Sequence, residues 1–441
     1  MSKKIYLDNI YKILSVGNTS SVQVYANDIV IQREILNDIL TSEENYELTS
    51  NIKNRIQYEA NISFAGCKRG IVVGATGVGK TKIAVDKMNS ILKANPDPKF
   101  VVVVPTQKLR DIGWKEEVLK WAGEELWSKI KPICYDSLHT IKNEKIDAAI
   151  FDECHNFTES SIQFLTDNNV ARTMSLTATY PSNMIRAKLI HKYLGEVKYR
   201  IDTDTAVKLG IVSPYRLIIV NIPLDRVNKY VKAGSKDKPF FTTEYGNYSY
   251  LNTVCENRPS KFSYLKRMRF IYNLRSKMLA TRWLLDNIIP NDIRTLIFAG
   301  SKDQADGLCF YTYYSKPTKK GKTTVQYEKK LAAYQGKNSL NLFLEEKINR
   351  LACVEALNEG ENIPNVDCGL AQQITSDELD LVQRIGRCIR YRVGHTGTII
   401  IVCSNETVDK QWVRKATANL TMDIKEIDLK DLTEGKEVIT F

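Results

Sequence analysis

Short apolar runs that end in turns alternate along this chain with longer stretches of helical periodicity. One set of runs falls at 70–73, 100–104, 148–151 and 173–176. A second falls at 217–220, 295–298, 350–354 and 398–402. Continuously apolar strands are buried on both faces, which requires a parallel sheet covered by helices. The 441 residues are too many for one ordinary core. The pattern therefore predicts an α/β protein with two tandem parallel-sheet lobes, at 46–214 and 215–441.

Residues 1–45 follow a different rhythm. Alternation at 21–25 and the apolar 29–31 predict a few short strands with a short helix. Such a module is too small for its own core, so it reads as a β-rich appendage. At the other extreme, 315–330 is the most loop-like stretch, with Pro317, Gly321 and many lysines.

Charge sharpens this picture. The net charge is +12, and 16 Lys and Arg against 5 Asp and Glu fall between Arg258 and Lys330. Concentrated positive charge suits a polyanion, while a solubilising face is the plainer alternative. Within it, the basic segment 255–289 has apolar Leu265, Tyr272, Leu279 and Trp283 at positions that allow one amphipathic helix. Lys266, Arg267 and Arg269, continued by Arg275, Lys277 and Arg282, could line a backbone-binding groove. Lys319, Lys320 and Lys322 are interleaved with tyrosines that could stack bases or pack the lobe.

Nine cysteines form no CxxC pair, which argues against a zinc cluster and suits a reducing compartment. No apolar run nears the ~20 residues of a membrane span. The start lacks a signal-peptide stretch. These features lead to the expectation of a cytoplasmic protein without a membrane partner.

The strongest chemical signal is Gly74-Ala75-Thr76-Gly77-Val78-Gly79-Lys80-Thr81, between a strand and a helix. It fits G-x-x-x-x-G-K-[ST] in full. Gly74, Gly77 and Gly79 let the backbone N–H groups turn toward phosphates. Lys80 would pair with the β- and γ-phosphates of ATP, and Thr81 would ligate Mg²⁺. Asp152-Glu153-Cys154-His155 directly follows the 148–151 strand. Asp152 would complete the Mg²⁺ shell, and Glu153 would polarise the attacking water. Farther on, Gln383-Arg384-Ile385-Gly386-Arg387-Cys388-Ile389-Arg390 puts Arg387 and Arg390 three apart, on one face of a helix. Such arginines can reach a γ-phosphate and couple lobe closure to ATP.

In this order the motifs resemble those of superfamily 2 helicases of the DExH type, over roughly 50–405. The resemblance makes Gln57 the adenine-reading glutamine. Pro105 and Thr106 become part of the nucleic-acid-tracking motif Ia. His155, with Thr177 and Thr179 of motif III, becomes a coupling element. Gly360 and Asn362 fall in motif V, and Gln383 joins Arg387 and Arg390 in motif VI. The resemblance implies two RecA-like lobes with ATP in the cleft between them. Two departures stand out: Val354 replaces a frequent motif V threonine, and Asn362 replaces the usual aspartate.

The chain looks most like phage-encoded, UvsW-like helicases. That implies a DNA-dependent ATPase acting on forks and Holliday junctions in replication, recombination or repair. It also implies an N-terminal module that contacts duplex DNA, a bacterial host cytoplasm and a monomer. An RNA helicase, a duplex translocase that never parts strands, and a packaging ATPase or ATP-gated scaffold remain open at this point.

Overall fold

A computed structural model describes the chain except for residues 1–2, 16–25, 38–39, 182, 235–236, 315–335, 355–362, 364, 375–380, 382–385, 387–394, 419 and 421–423. The chain forms two compact units, with the main division between Pro214 and Tyr215.

The first unit opens with helices α1 (Lys3–Ser15), α2 (Ala26–Asn37) and α3 (Ser42–Ile62). The expected β-rich module is thereby corrected: Ile29-Val30-Ile31 lies inside α2. Ala26, Ile29 and Leu36 are buried, and spacings of three and seven put them on one helix face. That tertiary burial outweighs the strand preference of three β-branched residues. The alternating stretch 21–25 lies outside the described residues.

Helix α3 crosses residue 45 without interruption. It starts with a capping box, in which Glu44 N–H donates to Thr41 Oγ1 (3.2 Å) and Thr41 N–H to Glu44 Oε2 (2.8 Å). Its buried face, Leu48, Ile52, Ile56 and Ala60, repeats every four residues and sets the rotation that turns Gln57 inward.

The sheet of this unit contains β1 (Arg69–Gly74), β2 (Phe100–Val104) and β3 (Ile130–Cys134). Beyond the short β4 (Lys145–Ile146) come β5 (Ala148–Phe151), the short β6 (Asn169–Val170), β7 (Thr173–Thr177) and β8 (Val197–Ile201). The order is β3-β2-β5-β7-β1-β8, every pairing parallel, while β4 and β6 pair separately. Successive residues go to opposite faces: Val72, Val102 and Ile150 enter one core, Ile71, Val101 and Phe151 the other. Helix α4 (Lys80–Ala94) covers the first face through Ile83 and Met88. Because the strands run parallel, their carboxyl ends meet at one edge, where open α/β sheets hold ligands.

The second unit starts with β9 (Tyr215–Ile222), followed by a separate antiparallel pair, β10 (Val231–Gly234) and β11 (Pro239–Thr242). Its main sheet adds β12 (Thr295–Phe298), β13 (Thr312–Tyr313), β14 (Arg350–Cys353), β15 (Cys368–Ala371), β16 (Gly397–Ser404) and β17 (Ile424–Asp428). The order is β13-β14-β12-β15-β16-β9-β17, again parallel throughout. Both units are thus α/β layers on parallel sheets, the RecA-like plan.

The basic segment 255–289 is not one amphipathic helix. Helices Lys261–Tyr272 and Arg275–Asn287 are separated at Asn273 and at Leu274, which is buried. Leu279, expected on the apolar face, is 52% exposed, while Lys277, expected in the groove, is fully buried. The cause is Asp409, at the start of helix Asp409–Thr417, whose Oδ2 lies 2.6 Å from Lys277 Nζ. Asp409 Oδ2 also accepts from Ser404 N–H (2.8 Å).

Removing one member of a buried pair strands the other charge, which costs about 3–5 kcal/mol. Lys277→Met or Asp409→Asn is expected to lower stability by that order. Lys277→Met combined with Asp409→Leu should regain most of it. Urea unfolding midpoints check this. Equal losses in single and double variants would refute a charge-based origin.

Candidate nucleotide site

The phosphate loop leaves β1 at Gly74, with Ala75 N–H held by the Ile201 carbonyl of β8 at 2.9 Å. Gly77 (φ 94°) and Gly79 (φ 86°) both adopt the left-handed region, which lets the loop double back before α4 begins at Lys80. Gly79 has a second reason to be glycine: a Cβ there would lie 2.3 Å from Gln57 Nε2. Gln57 is buried and donates through Nε2 to the Val78 carbonyl (3.1 Å). Its Oε1 is buried without a hydrogen-bond partner. Gln57 therefore braces the loop from α3. Lys80 reaches back over the loop and donates to the Gly74 carbonyl (3.0 Å). Thr76 sits in the outer turn, and Thr81 in the first turn of α4.

Asp152 and Glu153 follow β5, one sheet edge away. Asp152 is 7% exposed. Its Oδ1 accepts from Glu153 N–H (3.0 Å) and its Oδ2 from the indole Nε1–H of Trp114 (2.9 Å). Burial, with the neighbouring Glu153 charge, raises its proton affinity well above the usual carboxylate range. Glu153 moves the other way. Burial would raise it, but the ammonium of Lys80 and the imidazole of His155 more than offset that, so it stays ionised. Its backbone is left-handed (φ 47°), which aims the side chain back toward the loop side of the sheet.

Two carboxylates here share one ammonium. That imbalance suits a divalent cation, which would draw the proton off Asp152. Asp152 and the Thr81 hydroxyl are the oxygen ligands available for it, and the left-handed glycines leave room for phosphate oxygens. The donor set fits Mg²⁺ with a nucleoside triphosphate.

A chain of polar contacts runs from Glu153 to the next strand. His155 Nδ1 lies 3.4 Å from Glu153 Oε2 and 3.3 Å from Thr177 Oγ1. The Thr177 hydroxyl spends its one proton on the Thr179 carbonyl (2.8 Å) and accepts from Thr179 N–H (3.3 Å). His155 Nδ1 must therefore carry the proton, and Nε2 accepts from Asn156 Nδ2 (3.2 Å). Arg186 donates to the His155 carbonyl and fixes its backbone. The structure thus brings together Gln57, the loop glycines, Lys80, Asp152, Glu153, His155, Thr177 and Thr179.

Trp114 and Arg186 were not legible as site residues. A lone tryptophan in a helical stretch reads as core, and Trp114 is indeed 1% exposed. Only its indole nitrogen serves the site, as a positioning group for Asp152. Trp114→Phe is expected to raise the half-saturating Mg²⁺ concentration for ATP turnover about 10–100-fold, as loss of an outer hydrogen bond to a metal ligand does. A Mg²⁺ titration of turnover checks it. An unchanged Mg²⁺ requirement would show that the indole only fills space.

Other expected residues are dispersed. Pro105 and Thr106 follow β2 at the same carboxyl edge, where the Thr106 hydroxyl accepts from Leu109 N–H (3.3 Å). Lys266 and Arg269 are exposed on helix Lys261–Tyr272. Arg267 is half-buried, donating to Asn252 Oδ1 (2.5 Å) with its guanidinium 5.7 Å from the Tyr264 ring centre. Gly360, Asn362, Gln383, Arg387, Arg390, Lys319, Lys320 and Lys322 lie outside the described residues. Among the described residues, no helix is long and apolar enough to cross a membrane.

Comparison with known proteins bears on the family and the fold. Residues 31–182 match the family described as type III restriction enzyme, res subunit, and residues 280–392 match the helicase conserved C-terminal domain. A curated relative, DNA 3'-5' translocase XPB2 of Sulfurisphaera tokodaii, is 32% identical over 157 residues. The match spans 33% of this chain and 34% of the relative. Among solved structures, an ATP-dependent type ISP restriction-modification enzyme, LlaBIII, bound to DNA superposes with TM-score 0.52 at 15% identity. It covers 86% of this chain and 32% of that one. Dbp5 of S. cerevisiae bound to RNA and ADP BeF3 gives TM-score 0.50 at 13% identity, covering 86% of this chain and 91% of that one. These structural likenesses establish the fold. The two family matches, in the order of the two lobes, put the chain among the superfamily 2 helicases, a class of ATP-hydrolysing enzymes.

Proposed function

We propose that the chain is an ATP-driven DNA translocase or helicase that works on branched DNA, forks and Holliday junctions, as a cytoplasmic monomer. The single observation behind the ATPase reading is the loop lysine beside two buried acids of opposite proton affinity. Asp152, with Thr81, holds Mg²⁺; Glu153, kept ionised, orients the attacking water; Lys80 pairs with phosphate. Bound Mg²⁺ supplies charge neutralisation for the transferred phosphoryl group. His155, Thr177 and Thr179 carry the state of Glu153 to the turn after β7. Gln57, braced on the loop through its amide nitrogen, reads the adenine with its spare amide oxygen. Gln383, Gly360 and Asn362 are proposed nucleotide residues on their resemblance to motifs V and VI, and Arg387 and Arg390 the proposed sensors of the γ-phosphate.

DNA as substrate is supported by the translocase relative and by the basic excess between Arg258 and Lys330. We assign the direction printed for that relative, 3′ to 5′. Residues Pro105, Thr106, Lys266, Arg267, Arg269, Lys319, Lys320 and Lys322 are the proposed contacts to the backbone. ATP turnover measured with forks, Holliday junctions, duplexes, single strands and RNA tests the reading. Greatest stimulation by junctions supports it. Stimulation by RNA alone, or none by any nucleic acid, defeats it.

A further inference from the structure

Between β9 and β12 the chain leaves the main sheet, and β10 and β11 pair only with each other. Their register sets Lys232 opposite Phe241, Ala233 opposite Phe240 and Gly234 opposite Pro239. Phe240 and Phe241 are 57% and 62% exposed. As neighbours in one strand they stand on opposite faces of the ribbon. A two-stranded ribbon has no core to hide them in. Single exposed aromatics are ordinary on a protein surface, but two adjacent ones on opposite faces of one short ribbon are not.

The ribbon also holds one ring in place. Gly234 is left-handed (φ 90°), and a Cβ there would lie 2.4 Å from the Lys238 carbonyl and 3.0 Å from the Phe240 ring. Phe240 therefore lies against bare backbone with its outer face in solvent. The ribbon's own sequence is basic: from Lys229 to Thr242 there are four lysines and one acid, Asp237, while Asp225 and Glu244 flank it and Arg226 is paired with Glu406. Nearby aromatics already carry cations, with Arg226 3.7 Å from the Tyr245 ring centre and Arg275 5.0 Å from that of Tyr230. Flat apolar faces among positive charges match a nucleic-acid strand, whose bases stack while its phosphates pair with lysines.

We propose that the β10–β11 ribbon is a strand-parting wedge, with Phe240 and Phe241 each stacking on a base at the point where a duplex opens. Lys232 and Lys238 hold the flanking phosphates. The inference rests on the nucleic-acid motor reading above. Its test uses the full chain and a fork with 2-aminopurine at the first base pair of the junction. Wild-type protein should change the fluorescence on binding without ATP and should unwind the fork.

Phe240→Ala with Phe241→Ala should lose the fluorescence change and slow unwinding about tenfold or more per ring. ATP turnover stimulated by single strands should persist, since neither ring belongs to the nucleotide site. Phe240→Leu with Phe241→Leu keeps apolar bulk without a flat face and should fail like the alanine pair. Wild-type unwinding and fluorescence in the leucine pair would overturn stacking, and in the alanine pair would overturn the wedge. If DNA fails to stimulate the wild-type ATPase at all, it is the motor reading that falls.

Discussion

Glu153→Gln should bind ATP and fail to turn it over, with a loss of about 10²–10⁴ in rate, the contribution expected of a general base. The substitution keeps the shape and the left-handed backbone at this position. It removes only the charge and the capacity to take a proton. His155 Nδ1–H, 3.4 Å from Glu153 Oε2, can still donate to an amide oxygen, so the neighbouring turn should stand. Lys80 and His155 hold the Glu153 carboxylate below the usual range, which suits orienting water better than abstracting its proton. Lys80 drawn onto a phosphate would leave Glu153 with a higher proton affinity, nearer what a base needs. Lys80→Ala should differ in kind, losing turnover and ATP affinity together, because that side chain grips phosphate before and during reaction. Phosphate release beside fluorescent-nucleotide binding separates the two. Ordinary turnover in either variant is incompatible with this assignment.

The phosphate loop and the acid pair could be read directly from sequence because backbone chemistry dictates them. A loop that presents N–H groups to phosphate needs glycine at fixed places, and a buried acid after an apolar strand demands a cation. The strands at 70–73, 148–151 and 398–402 were legible for a similar reason, since continuous burial leaves continuous apolar letters. Lys277 was misread because charge normally reports exposure, and its partner Asp409 is far off in the chain, out of reach of any local pattern. The same limit hid Trp114, whose role depends on one nitrogen meeting Asp152. Residues 29–31 were misread as strand because β-branched letters were weighed without knowing which helix face would be covered. The β10–β11 ribbon has only four residues in each strand, too few for the alternation of half-buried Val231 and Ala233 with exposed Lys232 and Gly234 to stand out, and β11 is exposed along most of its length.

Arg387→Ala and Arg390→Ala should each leave ATP bound and reduce turnover by as much as ~10³–10⁵, the range measured when an arginine finger is withdrawn. The expectation comes from the sequence spacing: two guanidinium groups three residues apart on a helix reach the same point. A planar, permanently charged fork matches phosphate oxygens in a way that a lysine cannot. Arg→Lys at either position should therefore rescue little. The distinguishing measurement pairs nucleotide affinity with single-turnover hydrolysis, with and without DNA. If these arginines act on the charge that develops during cleavage, affinity stays near wild type while the chemical step slows. Coupling adds a second signature, because DNA should no longer accelerate the residual turnover of the variants. Affinity lost in step with rate would make Arg387 and Arg390 ground-state binding residues, and undiminished turnover would remove them from the engine altogether.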